Sequence, residues 1–199
     1  MFDKLNRRDE IVRVSSTLFV KQGYAATSIR DIAQQVGCTE AAIYYHFKEG
    51  KRALLRAVLE AVLPLLLTTF DSIRGAETLG EFVTRYSSQL DQVMMAQAGW
   101  FRWIIAEFPN FSEAERRIFY EKHLTIYNGL IAMIAPYIPD QQQAHQSAWL
   151  IMCITIGYSQ LFYTLDLKSV DHARQVNLGD LISNALGLKG VPVIHQQAL

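Results

Sequence analysis

Apolar residues recur every three or four positions along most of this chain and no stretch alternates with period two, so the pattern predicts an all-α protein. Residues 7 to 22 place Ile11, Val14, Leu18 and Phe19 on one face, and Gly23 follows as a C-terminal cap. Thr27 and Ser28 each offer an oxygen to a free first-turn amide, and Asp31 stands three residues after Ser28, the spacing of a capping box. Ile29, Ile32, Ala33 and Val36 then line one face of a second helix, which Gly37 ends where the chain reverses. Thr39 is placed to cap a third helix. That helix buries Ile43 and Phe47, four apart, and leaves Glu40, Ala41, Tyr44, Tyr45 and His46 outside, where no core needs them. Lys48, Lys51 and Arg52 open a fourth helix whose Leu54, Leu55, Val58 and Leu59 face the same small core.

Beyond residue 60 the punctuation continues helical. Pro64 predicts a kink or a handover between helices. Thr78 with Glu81 predicts a helix through about residue 97, and residues 100–108 a shorter one ended by Pro109. Ser112 with Glu115 starts another, to about Ala135; Pro136 and Pro139 mark a loop. Asp140 caps a long apolar helix through about Leu165, and residues 178–186 form the last.

Two short helices crossing steeply through a tight turn need a small residue at their contact, and Ala33, four before Gly37, supplies it. Residues 27 to 47 therefore read as a helix-turn-helix with a DNA-reading second helix. The plainer alternative is a helical hairpin with surface tyrosines, which the amphipathic helices on either side disfavour.

The residues that carry this pattern are Phe19, Gly23-Tyr24, Thr27-Ser28-Ile29-Arg30-Asp31-Ile32-Ala33, Val36-Gly37, Ile43-Tyr44-Tyr45-His46-Phe47 and Lys51 with Leu54-Leu55. Over residues 7 to 60 the chain resembles the N-terminal domain of the tetracycline-repressor (TetR) family of bacterial transcription regulators. The resemblance implies DNA contacts at Thr27, Ser28 and Arg30, at Thr39, Glu40, Ala41, Tyr44, Tyr45 and His46, and at Lys51. Glu40 departs from the small or polar residue common in the family. An acidic group is unfavourable near phosphates unless it accepts from a cytosine amino group, so Glu40 either reads a base or caps its own helix. The resemblance further implies a helix-turn-helix domain over 1–50 and an effector-binding and dimerisation domain over 51–199. Only the outline matches in the latter, with the run Trp103 to Pro109 similar to a stretch common in members.

On the last two helices, Ile154, Gly157, Leu161 and Leu165 form one stripe and Leu178, Leu181, Ile182 and Ala185 another. In the family this is where two subunits join; the alternative is that the stripes face only their own core. An aromatic- and Met-rich interior suits a flat or greasy effector, and helix faces suggest a lining of Tyr86, Leu90, Trp103, Glu107, His123, Tyr127, Met152 and Ile156. Glu107 and His123, its polar members, are equally accounted for as surface groups.

The formal net charge is zero, which argues against a nucleic-acid partner until the chain is divided. Residues 1 to 60 carry 10 Lys and Arg against 7 Asp and Glu, while residues 61 to 199 carry 9 against 12. Such a modest surplus means that phosphates are gripped by placement, helix N-termini included, rather than by a general basic field. No apolar run follows the charges near Met1, so a cytoplasmic protein is expected. Residues 146 to 165 lack charge over nearly a bilayer's width, but Thr155, Ser159, Gln160 and Thr164 interrupt them and no Lys/Arg cluster flanks them, so a buried helix is expected rather than a membrane span. Cys38 and Cys153 read as small hydrophobes. His46, His123, His145, His172 and His195 lack metal-ligand spacing, and no phosphate loop, nucleophile elbow, HExxH or CxxC is present, so neither cofactor nor metal nor catalysis is expected. A helical enzyme of unlisted chemistry and a protein-binding adaptor remain the alternatives to a regulator of operator DNA.

Overall fold

The computed structural model describes residues 6–62, 70, 73, 75–169 and 175–188, and among them every regular element is helical. In order these are α1 (Arg7–Gln22), α2 (Ile29–Val36), α3 (Glu40–His46), α4 (Lys51–Val62), α5 (Leu79–Ala96), α6 (Ala98–Glu107), α7 (Glu113–Ile134), α8 (Gln141–Ser159) and α9 (Leu178–Ala185). Short 3-10 turns follow α6 at Phe108–Asn110 and α8 at Leu167–Ser169. The kink expected at Pro64 lies outside the described residues.

The expected helix starts are present as hydrogen bonds. Ser28 Oγ accepts from the Asp31 amide at 3.0 Å and the Asp31 carboxylate accepts from the Ser28 amide at 2.8 Å, completing the capping box. Thr78 and Asp140 likewise accept from the amides of Glu81 and Gln143. Asn6 and Asn177 cap α1 and α9 in the same way, two caps that the sequence reading did not name for helices it expected there. The long apolar helix ends earlier than expected. At Ser159 the hydroxyl turns back to the Thr155 carbonyl, and from Gln160 the chain widens into a π turn, with the Leu165 amide reaching the Gln160 carbonyl.

The chain folds into two compact units. The first comprises Met1–Pro64 with Gly99–Lys122, the second Leu65–Ala98 with His123–Leu199. This differs from a division at residue 50, for a packing reason: Leu54, Leu55, Val58 and Leu59 of α4 are fully buried against Ile11, Phe19, Ile32 and Ile43. Trp100, Trp103 and Ile104 of α6 and Phe111 complete that core. Phe19 stacks on Trp103 with ring centroids 5.8 Å apart, and the Trp100 indole donates to Ser16 Oγ at 2.8 Å.

In the second unit α9 packs against α5 and α8. The contact is close at Gly179, where a Cβ would lie 2.8 Å from Ser87 Oγ. Tyr86, Leu90 and Met152 are buried here, with Phe82 and Tyr86 stacked. Burial pushes the Tyr86 phenol up to about 12, against the opposing pull of the Thr155 hydroxyl beside it.

Candidate nucleic-acid interface

A helix-turn-helix presents a side chain to a groove only if both helices are held from behind, and here that support is local and specific. Ile32, Ala33 and Val36 bury one face of α2, and Gly37, with φ 73°, takes the left-handed conformation that reverses the chain. Its amide and that of Cys38 both reach the Ala33 carbonyl, the latter at 2.9 Å. Thr39 then caps α3 through the Ala42 amide at 3.2 Å, and Ile43 and Phe47 pin the helix to the core. Glu40, Ala41, Tyr44 and Tyr45 are exposed, Tyr45 to 80%, and the edge of its ring meets His46 at 5.1 Å. Tyr44 is held on one side, because Gly50, at φ 63°, brings bare backbone beneath its ring; a Cβ there would lie 3.1 Å from the ring. Ser28 and Arg30 at the start of α2 are also exposed.

Two of the expected contact residues have side chains engaged within the first unit. Thr27 is buried, and its hydroxyl donates inward to the Gly23 carbonyl at 2.8 Å, so its side chain stabilises the loop between α1 and α2 and is not presented to a ligand. The Lys51 ammonium is likewise turned inward. It donates to the carbonyls of Tyr24 at 2.9 Å, Ala25 at 3.3 Å and Thr27 at 2.9 Å, and sits 4.4 Å from the centre of the Tyr24 ring. Burial pulls its pKa below the usual lysine value and the neighbouring Arg52 charge acts the same way, while Glu107 opposes both. A cation that satisfies three carbonyls is first of all a structural clamp.

One feature of the first unit escaped the sequence pattern. Glu115, expected only as a capping partner of Ser112, is fully buried; its Oε2 accepts from the Ser112 amide and from the Arg52 guanidinium, each at 2.7 Å. The start of α4 is thereby tied to the start of α7.

The candidate effector residues divide between the two units. Trp103 and Glu107 belong to the first, and Trp103 is part of its core against Phe19 rather than a pocket wall. Of the rest, Tyr86, Leu90 and Met152 are interior, His123 is half-buried, and Tyr127 donates to or accepts from His145 Nδ1 at 2.8 Å while its ring lies 4.8 Å from Trp149. Ile156 faces outward, not into an interior. The candidate interface stripes also need correction. Leu178 and Ile182 are buried in their own unit, because α9 turns that face onto α5 and α8. Leu161, Leu165, Leu181 and Ala185 are exposed, and Ile154 and Gly157 half-buried. Trp149, Leu150, Cys153 and Ile156 extend the exposed apolar face along α8.

Among the described residues no three His, Cys, Asp or Glu side chains lie close enough to hold a metal, and no helix is long and apolar enough to cross a membrane. His172 and His195 lie outside them.

The family model described as bacterial regulatory proteins, tetR family, matches residues 11–58, which are the helices just described. Residues 11–58 thus carry tetR-family sequence. The HTH-type transcriptional repressor KstR2 of Mycolicibacterium smegmatis is 34% identical over 73 residues, 37% of this chain and 35% of that protein. The aligned stretch thus spans about a third of the curated relative. The fold extends further. Salmonella enterica GusR superposes with a TM-score of 0.71 at 22% identity, covering 94% of this chain and 97% of that one. A tetR-family transcriptional regulator from Streptomyces coelicolor superposes with a TM-score of 0.73 at 18% identity, covering 94% and 82%. The residues matched by the family model are those of the helix-turn-helix and the helices that flank it.

Proposed function

We propose that this chain is a cytoplasmic transcriptional repressor that binds a palindromic operator as a homodimer and is released by a small hydrophobic or aromatic effector. The observation that carries the reading is α3, capped by Thr39 and anchored by Ile43 and Phe47, with Glu40, Ala41, Tyr44 and Tyr45 left free on its outer face. Two such helices, one per subunit, enter successive major grooves roughly 34 to 36 Å apart, while Ser28, Arg30 and His46 position the head on the backbone. The exposed apolar face of α8, with Leu181 of α9, is the surface on which a second copy closes around a two-fold axis. The buried aromatic interior around Tyr86, Leu90 and Met152 is where an effector is accommodated, and it loosens DNA only by as much as it prefers the non-binding conformation. Repression rather than activation is supported by the name of the KstR2 relative.

The test is selection of genomic DNA fragments by the purified protein at moderate salt. Enrichment of fragments sharing an inverted repeat is expected. A protein that enriches no fragment over input, or retains proteins instead, overturns the reading in favour of a helical enzyme or an adaptor.

A further inference from the structure

Three carboxylates lie between Thr27 and Lys51, and the structure accounts for two of them. Asp31 accepts from both the amide and the hydroxyl of Ser28, which hold its pKa below the usual aspartate value. Glu49 pairs with the Arg56 guanidinium at 2.7 Å. Glu40 is the third. It is exposed at the first position of α3 and, among the described residues, forms neither a hydrogen bond nor an ion pair. The capping role open to it is already filled, because Thr39 Oγ1 receives the Ala42 amide. What the fold gains from Glu40 is at most the weak attraction of a solvated carboxylate to a helix N-terminus.

On the reading of α3 as the recognition helix, that position is costly for an acid. The first residues of such a helix approach the base edges, and a carboxylate entering the groove passes between two rows of phosphates. Its neighbours make the approach close: Ala41 and Ala42 carry only methyl groups. Among the base edges of the major groove, a carboxylate, which can only accept, finds a donor in the cytosine N4 amino group and in the adenine N6 amino group. Beside the adenine N6 lies the N7 acceptor, which repels a carboxylate, whereas an amide side chain pairs with both atoms. A carboxylate is therefore matched to cytosine and an amide to adenine.

We infer that Glu40 is a specificity-determining residue that accepts a hydrogen bond from the N4 amino group of one cytosine in each operator half-site. Its carboxylate lowers affinity for DNA in general and restores it only where that cytosine stands, so it discriminates by penalising every other base.

The inference rests on the DNA-binding reading, and the experiment separates the two. Wild type, Glu40→Ala and Glu40→Gln are each used to select from a pool of randomised duplexes, and affinities are then measured on operators differing at single positions. Wild type is expected to require a C·G pair at one symmetry-related position, with replacement weakening binding by roughly five- to a hundredfold. Glu40→Ala should lose the requirement at that position alone, keep the remaining consensus and bind unrelated duplex more tightly. Glu40→Gln should move the preference there to adenine. A Glu40→Ala protein that selects the wild-type consensus unchanged, whatever its melting temperature, overturns the inference while leaving the DNA-binding reading intact. A wild-type protein that enriches no sequence overturns both.

Discussion

Lys51 separates two accounts of the same residue. A phosphate-gripping lysine at this place would be exposed and dispensable for folding, but its ammonium here closes the loop between α1 and α2 from a distance of 24 to 27 residues in sequence. Replacing it with Met keeps the aliphatic stem and removes only the charge. The carbonyls of Tyr24 and Thr27 then lose their 2.9 Å partners, and Tyr24 loses a cation over its ring. A hydrogen bond to a charged group contributes about 1.5 to 3 kcal/mol, and three that share one half-buried ammonium, with water ready to replace the outer one, do not add. With about 0.5 to 1 kcal/mol from the ring, Lys51→Met should cost about 2 to 3 kcal/mol. For a chain of this size that lowers the melting temperature by about 4 to 12 °C. Thermal unfolding by circular dichroism measures it, and the salt dependence of binding to the selected operator provides the contrast. The slope of log affinity against log salt should stay as in wild type. A Lys51→Met protein that melts with wild type and loses about 0.9 of slope per head would show that the side chain leaves the loop to hold a phosphate, and the clamp argument would fail.

Four further outcomes test other links. Ala33→Leu, at a buried helix crossing, should cost about 1 to 3 kcal/mol in denaturant unfolding and weaken DNA binding with it; a variant as stable as wild type would place the crossing elsewhere. Tyr45→Ala should weaken operator binding, seen by fluorescence anisotropy, without lowering the melting temperature, since the ring is 80% exposed; unchanged affinity would remove it from the interface. Because the folded pKa of Asp31 is lowered by Ser28, its contribution to α2 is complete above the unfolded-chain value, about 3.9, and is lost as pH falls through the lower folded value; carboxyl NMR should show Asp31 titrating below that reference in wild type and closer to it in Ser28→Ala. Leu161→Arg, at an exposed position of the proposed dimer face, should give a folded monomer by sedimentation with much reduced operator affinity, whereas a dimer that still binds would exclude that face.

What was legible in the sequence is what local chemistry decides. Ser28 with Asp31, Thr39, Thr78 and Asp140 start helices through bonds that span only three residues, so the residue types at that spacing suffice. The anchors Ile43 and Phe47 follow from helical periodicity in the same way. The side chains whose surroundings the pattern did not give all depend on partners distant in the chain. Thr27 and Lys51 have polar groups that a surface reading treats as free, and only the loop closed from α4 turns them inward. Trp103 looks like a pocket aromatic because α6 has apolar residues on much of its circumference and periodicity does not say what each face meets; Phe19, far upstream, claims it. On α9 the repeat marks an apolar side but not whether α5 or a second copy covers it, and Leu178 and Ile182 go to the former.

The burial of Glu115 explains why the helix-turn-helix unit does not end where its sequence similarity ends. A four-helix segment of some sixty residues, loops included, buries too little surface to be more than marginally stable alone. Here the deficit is met from further along the chain, with Trp100, Trp103, Ile104 and Phe111 filling the apolar core behind α1 and α4. The same segment supplies a carboxylate that is fully buried and would be costly without its partner. Arg52 is that partner, and it stands next to Lys51, whose ammonium closes the loop leading into α2. A chain of direct contacts thus runs from the start of α7 through Glu115 and Arg52 to the first turn of α4, and from there through Lys51 to the loop that precedes the capping box of α2. Each link is polar, directional and short, so a displacement of the α7 start has to break a bond or carry α4 with it. A hydrophobic contact at the same place would let the two helices slide.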